Sequence, residues 1–166
     1  MQLTLYTDYS LRVLVYLAQT HGESATITEI ADFYRISRNH LVKVVHNLGN
    51  EGLIITTRGK HGGMRLARDP EAIAIGEVVR RTEPNFNLVE CFDPQKKNNC
   101  VITASCSLKN MLYQANKAFL DLLDAYTLAD VTAGKVDLPA ALPALPGNTP
   151  RNTGKHGKVI PIAKVD

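Results

Sequence analysis

The sequence pattern changes abruptly within residues 37–67, and this change restricts the folds available to the chain. Ser37 is a favourable helix N-cap, and four apolar residues follow it at helical spacing: Leu41, Val44, Val45 and Leu48. The next residues have a different character, because 53–57 is a β-branched run, 58–63 a glycine-rich turn and 64–67 a short return segment. The segment therefore predicts a helix followed by a β-hairpin.

Two further helices are predicted ahead of this segment. Apolar residues at three-and-four spacing predict a helix over residues 3–20. Thr26 and Glu29 form a capping box that starts a short helix reaching about Phe33. Three helices followed by a hairpin make a winged helix-turn-helix, whose third helix enters the DNA major groove. The expected fold class is mainly α with a small β-hairpin: a winged helix-turn-helix DNA-binding domain plus a long dimerisation helix.

The second half of the chain is predicted to contain a short helix, a polar loop and a long helix. Asp69–Pro70 starts the short helix and Pro84 ends it. Apolar residues that recur from Leu108 to Tyr126 predict an amphipathic helix of about 20 residues or more. From Gly134 onward the composition shifts to proline, glycine and lysine, which predicts a disordered tail.

These patterns divide the chain into four segments. Residues 1–83 are the expected DNA-binding domain, and residues 84–106 form a loop that contains every cysteine. Residues 107–133 are the expected dimerisation helix, and residues 134–166 are the tail. A small domain cannot bury the apolar stripe of the long helix by itself, which predicts a two-fold homodimer. Packing of that stripe on its own domain is the alternative.

The candidate DNA-binding surface combines the start of the third helix with the hairpin tip. Its members are polar or basic: Ser37, Arg38, Asn39, His40, Lys43, Arg58, Lys60 and His61. Arginine can read guanine and asparagine can read adenine through paired hydrogen bonds, and Ser37 can bind a phosphate. Residues 34–68 contain seven basic residues and one acidic residue. An ordinary solvated face is the alternative, and it explains Arg35 and His46 equally well.

Composition and the N-terminus favour a reducing compartment. The formal net charge of +3 permits a nucleic-acid partner without requiring one. The chain lacks an apolar run of about 18 residues, so no membrane span is expected. The first residues do not have the regions of a secretory signal, so a cytoplasmic location is expected. In such a compartment clustered cysteines more often bind metal or sense redox state than form structural disulfides.

The three cysteines have the spacing Cys91-x8-Cys100-x5-Cys106. The close cysteine pairs of zinc sites are absent, whereas iron–sulfur clusters accept more varied spacing. Three thiolates leave one iron position open to a further ligand. The oxygen or nitrogen candidates for it are Asp8, Asp93, Asn98 and the histidines. A thiol redox switch and three ordinary free cysteines are the alternatives.

Several stretches of residues 1–133 are characteristic in combination. They are MQLTLYTDYSLRVLVYLA at the start, ISRNHLVKVVHNL in the third helix, RGKHGGMRLARDPEAIAIGEVVRRTEP across the hairpin, and CVITASCSLKNML and FLDLLDAYTLADV beyond it. Together they resemble the NsrR/IscR family of iron–sulfur winged-helix regulators, and in particular its nitric-oxide-sensing branch. The proline-rich tail has no counterpart in this resemblance.

The resemblance implies a homodimeric repressor, built on a helix that here covers about residues 105–128 and bound to palindromic operators. It implies a [4Fe–4S] or [2Fe–2S] cluster held by the three cysteines, with a fourth ligand from the partner subunit at the position of Asp8. It places Arg58 in the minor groove. It also implies that nitrosylation of the cluster by nitric oxide releases the protein from the operators of nitric oxide detoxification genes.

Two rival functions remain at this stage. An iron-free thiol-based regulator would be colourless, and its DNA binding would respond to oxidant and to dithiothreitol. An iron–sulfur electron carrier or enzyme is the weaker rival, because the sequence contains no glycine-rich nucleotide loop, paired carboxylates or nucleophile–base signature. We therefore expect a regulator and not an enzyme.

Overall fold

The computed structural model describes residues 2–59 and 62–133. Within them the predicted fold class is confirmed, with helices around one antiparallel hairpin: α1 (Leu5–Gln19), α2 (Ile27–Tyr34), α3 (Arg38–Asn50), β1 (Ile54–Thr57), β2 (Gly63–Leu66), α4 (Ile75–Thr82), α5 (Ser107–Asp124) and α6 (Leu128–Thr132). The predicted tail 134–166 and the hairpin-tip residues Lys60 and His61 lie outside the described residues. In the part of the chain that is described, no helix has both the length and the hydropathy needed to cross a membrane.

Helix α1 is the centre of the core. Its N-cap is Thr4, whose hydroxyl accepts from the Thr7 N–H at 3.2 Å. The Glu83 carboxylate accepts from the Thr4 N–H at 2.6 Å, which ties the start of α1 to the end of α4. Val13 and Leu14 are completely buried, and α1 packs against α3, α4 and α6.

Local signals set the turn between α2 and α3. The predicted capping box is confirmed, since the side chains of Thr26 and Glu29 each accept from the other residue's N–H. Arg35 ends α2 in the left-handed conformation with φ +55°, and the Ile36 N–H donates to Ala31 O at 3.0 Å. This sharp turn, together with the burial of Ile36, fixes the direction in which α3 leaves.

The hairpin is the wing of the fold, and we use "wing" for residues 54–66. Its register pairs Ile54 with Leu66 and Thr57 with Gly63. Met64 is buried and exchanges backbone hydrogen bonds of 2.9 and 2.7 Å with Ala25, ahead of α2. The wing is therefore held both by the end of α3 and by the segment that precedes α2.

The helix predicted to begin at Asp69–Pro70 is wrong at its start. Residues 70–72 form one turn of 3₁₀ helix, and α4 begins only at Ile75. The cause is a distant contact, because Leu128 N–H donates to Ile73 O and Ile75 N–H donates to Tyr126 O, both at 2.8 Å. This bridge requires an extended backbone at 73–74, which interrupts the helix. The predicted end is correct, since Glu83 is extended ahead of Pro84.

The single long helix predicted over about residues 105–128 is also wrong in extent. Helix α5 has 18 residues and ends at Asp124, and the short α6 follows a new capping box at Thr127 and Asp130. Leu128, at the start of α6, is completely buried in the core. The same bridge to α4 therefore turns the chain back onto the domain.

A side-chain pair fixes α5 against α4. The Arg80 guanidinium makes two hydrogen bonds to the Asp124 carboxylate, one of them 2.6 Å long. This pairing lowers the pKa of Asp124 from its ordinary value of 3.8. Gly76 makes room for the carboxylate, because a Cβ atom there would lie 2.0 Å from Asp124 Oδ1.

Candidate nucleic-acid interface and cysteine loop

Helix α3 presents two different faces. Leu41, Val44 and Leu48 are at most 1% exposed and pack into the core. A helix with that buried stripe must turn its intervening residues outward. The predicted DNA-contacting residues of α3 and its cap are all exposed: Ser37, Arg38, Asn39, His40 and Lys43. The structure therefore brings these five predicted residues onto one surface.

Ser37 is the N-cap of α3, but its hydroxyl makes no capping hydrogen bond. The predicted N-cap position is therefore confirmed, without the side-chain hydrogen bond that usually accompanies it. Its carbonyl oxygen accepts from the N–H groups of His40 and Leu41 at 3.1 and 3.2 Å. The free hydroxyl and the first N–H groups of the helix remain available to an anion such as a phosphate.

Arg58 is exposed where the wing turns, beside Gly59 with φ +113°. The turn is tight, because Gly62 N–H donates to Gly59 O at 2.9 Å. Arg65, on the opposite strand, is also exposed and pairs across the sheet with Ile55, which is 41% exposed. Arg65 was not among the predicted contacts, although alternation of side chains along a strand could have identified it.

The basic segment is less uniform than its composition suggests. Arg35, Arg38, Lys43, Arg58 and Arg65 make no ion pair with any of the described residues. Arg68, by contrast, pairs with Glu77 at 2.7 Å. Arg68 therefore makes contacts within the domain and is not part of the basic surface without ion pairs.

One further contact joins this surface to α1. The rings of Tyr9 and His40 lie 6.2 Å apart between centroids. Tyr9 is the residue after Asp8, the predicted fourth cluster ligand, so the segment of α1 that contains Asp8 touches α3 through this ring pair. Sequence reasoning missed this contact because it joins helices that are distant along the chain.

The three cysteines differ in their surroundings. Cys106 is the N-cap of α5, and its sulfur accepts from the Lys109 N–H at 3.3 Å. Cys91 is half-buried in an open groove of about 490 Å³ between the loop and α5. Cys100 is exposed at a turn, where its N–H donates to Asn98 Oδ1 at 3.0 Å. None of the three is buried in the manner of a structural cysteine.

Three of the predicted oxygen and nitrogen ligands, Asp8, Asp93 and Asn98, already have partners within one chain. Asp8 pairs with Arg12 at 2.8 Å on the surface of α1. Asn98 uses both side-chain atoms inside the loop, and Asp93 accepts from the Gln95 N–H at 3.0 Å. Across residues 2–59 and 62–133, no three His, Cys, Asp or Glu side chains are gathered closely enough to hold a metal ion. The three thiols of this loop are the kind of ligand that iron–sulfur clusters use.

Helix α5 has no buried residue in the single chain. Large apolar side chains along it are more than half exposed: Leu108 57%, Met111 61%, Tyr113 56% and Leu122 60%. One face does hold the cysteine loop, since the Tyr113 ring packs edge-on to Phe92 and Asn116 Nδ2 donates to Phe86 O at 3.0 Å. The face that contains Leu108, Met111 and Leu122 is not packed against any other described part of the chain.

Comparisons with known proteins agree on one family. The family described as "Rrf2: Iron-dependent Transcriptional regulator" matches residues 3–134. The HTH-type transcriptional regulator NsrR of Bacillus subtilis (strain 168) is 55% identical over 139 residues, covering 83% of this chain and 94% of that protein. The regulator of the same name from Geobacillus kaustophilus (strain HTA426) is 50% identical over 143 residues, covering 86% and 97%.

Solved structures give the same fold. CymR (YrzC), the global cysteine regulator of B. subtilis, superposes with a TM-score of 0.65 at 27% identity, covering 80% of this chain and 97% of that chain. IscR of T. potens superposes with a TM-score of 0.61 at 24% identity, covering 80% and 87%, and is similar in fold.

The wing turn provides a direct test of the geometry of this surface. In the Gly62→Ala variant the added Cβ atom would lie 2.5 Å from Thr57 O and 2.9 Å from Gly59 O, so the turn must open. We expect a loss of about 1–3 kcal/mol in hairpin stability, measured by amide hydrogen exchange at Thr57 and Gly63. Gly49→Ala is the control, because apart from the nearby backbone of its own helix no atom lies within 4 Å of its new Cβ. Equal exchange in the two variants would contradict this turn geometry.

Proposed function

This chain belongs to the Rrf2 family of iron-dependent transcriptional regulators, and on that premise we propose that it is a DNA-binding repressor that senses nitric oxide. We propose that it works as a cytoplasmic homodimer, and that an iron–sulfur cluster, [4Fe–4S] or [2Fe–2S], controls its affinity for operators of nitric oxide detoxification genes. The observation that carries the DNA-binding part is the exposed surface formed by α3 and the wing. The sequence likeness to NsrR proteins supports nitric oxide as the signal.

The proposed DNA contacts follow from the two structural elements that carry them. Arg38, Asn39 and Lys43 would face base edges and phosphates in the major groove, with His40 beside them and Ser37 bound to a phosphate. Arg58 would enter the minor groove, and Lys60 and His61 would contact the DNA phosphates next to that groove. Five basic side chains without an ion pair among the described residues leave this surface free to neutralise phosphates.

The uncovered apolar face of α5 supports the homodimer. A second copy would cover Leu108, Met111 and Leu122 with the same face of its own α5, as a two-fold axis requires. We therefore propose residues 107–133 as the dimerisation segment, attached to the DNA-binding domain 1–83. Two recognition helices related by that axis would bind a palindromic operator, with half-sites about 34 Å apart.

Residues 84–106 are the proposed cluster loop. Cys91, Cys100 and Cys106 would hold the cluster, and Asp8 of the partner subunit would complete the ligand set after leaving its contact with Arg12. When bound, the cluster would supply iron that reacts with nitric oxide. Cys106 would fix the loop to the start of α5, and an oxygen ligand on a soft site is the weakest of the four. Release of Asp8 would change how α1 meets the partner and hence the spacing of the recognition helices.

A second candidate is an iron-free regulator that responds to thiol oxidation. The exposed thiol of Cys100 supports it. The oxidized form of Staphylococcus aureus CymR, which is 27% identical with a TM-score of 0.64, is a solved structure with the same fold. Iron content separates this candidate from the first.

The DNA-binding proposal predicts specific losses. Lys43→Ala and Arg58→Ala should each weaken binding to a palindromic duplex selected by the parent protein from random-sequence DNA. Because each variant loses one phosphate or groove contact, the slope of log affinity against log salt should fall by about one unit for a phosphate-contacting side chain. His46→Ala is the control, since His46 lies further along α3 and bonds Asn50. Binding equal to the parent by both variants would refute the groove assignment.

The cluster proposal predicts the metal content. Protein purified without oxygen should be coloured and contain iron and acid-labile sulfide, and its absorption should change as nitric oxide is added. Cys91→Ser, Cys100→Ser and Cys106→Ser should each lose most of the iron, whereas Ser105→Ala, next to Cys106, should keep it. Asp8→Ala should bind iron less stably. A colourless parent, or full iron loading in all three cysteine variants, would rule out this cluster site.

A further inference from the structure

Two residues of α4 connect the end of the recognition helix to the base of the wing. Arg81 donates to the backbone carbonyl of Glu51 at 2.8 Å and pairs with its carboxylate at 3.2 Å. Glu51 is the C-cap of α3, so Arg81 satisfies a carbonyl oxygen at the end of that helix. The same guanidinium reaches Glu77 Oε1 at 3.0 Å.

The same Glu77 oxygen also contacts the segment that follows the wing. It accepts from Arg68 at 2.7 Å, and Arg68 lies two residues beyond the end of β2 and further donates to Ala72 O at 3.2 Å. Glu77 Oε1 therefore contacts both Arg68, in the segment that follows the wing, and Arg81, which contacts the end of α3. Glu77 is the least exposed member of this set, with 24% of its side chain accessible.

The network lies away from the residues proposed to touch DNA. Helix α3 has 13 residues, so its C-cap is about 20 Å from the Ser37 end. A winged domain needs its helix and its wing at a fixed relative position, because each contacts a different part of the duplex. These contacts supply such a constraint at the far end of the helix.

We infer that Glu77 and Arg81 are positioning residues for operator binding, which hold the recognition helix and the wing in one relative placement without contacting DNA. This inference rests on the proposed DNA-binding function. Simple electrostatics gives the opposite expectation for Glu77, because removing a carboxylate from a DNA-binding domain should strengthen binding. Weaker DNA binding by a Glu77 variant would therefore indicate a positioning role, and tighter binding would indicate a simple charge effect.

The test measures binding of the parent and its variants to the duplex that the parent selects from random-sequence DNA. Glu77→Gln should weaken binding about fivefold despite the gain in net positive charge, and Arg81→Lys should weaken it similarly although the charge is unchanged. Glu71→Gln is the matched control, since Glu71 is exposed on the turn before α4 and makes no ion pair with the described residues. It should bind as the parent does or slightly more tightly.

A double-variant cycle separates positioning from general destabilisation. If Glu77 acts through the wing, the effect of Glu77→Gln should be smaller in the Arg58→Ala background than in the parent, because one of the proposed wing contacts is already lost. Ion pairs as exposed as these contribute little to folding, so thermal unfolding of the single variants should match the parent.

Three outcomes would overturn the inference. Parent-like or tighter binding by Glu77→Gln would show that charge and not placement decides its effect. Fully additive losses with Arg58→Ala, or losses that follow a lowered unfolding temperature, would show that the network only stabilises the fold. Failure of the parent itself to select or bind any duplex would instead refute the proposed function, and the inference with it.

Discussion

Burial of one face of α3 is the constraint on which the rest of the structure depends. Leu41, Val44 and Leu48 fill the core against α1, and helical geometry then places Arg38, Asn39 and Lys43 on the outside. The wing follows from the same packing, because Leu53 N–H donates to Leu48 O at 3.0 Å where the chain leaves α3. The polar surface is thus a consequence of the core, and its basic residues Arg38 and Lys43 make no ion pair with the described residues that would compete with binding.

The C-terminal half attaches to this domain through α4. The bridge between 73–75 and 126–128 and the Arg80–Asp124 pair fix one end of α5, while Arg81, the next residue along, holds the end of α3. Adjacent arginines on one short helix therefore contact the proposed dimerisation helix α5 and the proposed recognition helix α3. The cysteine loop contacts α5 through Phe92 and Tyr113 and through Cys106, so contiguous contacts lead from this loop through α4 to the proposed DNA-binding surface.

The sequence predicted the parts of the fold that local chemistry decides. The capping box at Thr26, the buried stripe of α3 and the glycine turn of the wing each act within a few residues, and each is present. The errors lie where distant segments meet: the contact of Ile73 with Leu128 breaks one predicted helix and divides another. The Glu77 network and the Tyr9–His40 contact were invisible for the same reason. The ligand roles of Asp8 and the three cysteines stay predictions, because the proposed site needs a second chain.

The central claim is that the group held by the three cysteines controls DNA affinity, and an oxygen-free operator titration tests it most directly. Binding to one palindromic duplex would be measured for cluster-loaded protein, for the same protein after complete reaction with nitric oxide, and for protein freed of iron. We expect the loaded form to bind about a hundredfold more tightly than the other two, which corresponds to a coupling of about 3 kcal/mol. Undiminished binding after complete reaction, or equal binding by the iron-free protein, would contradict the claim.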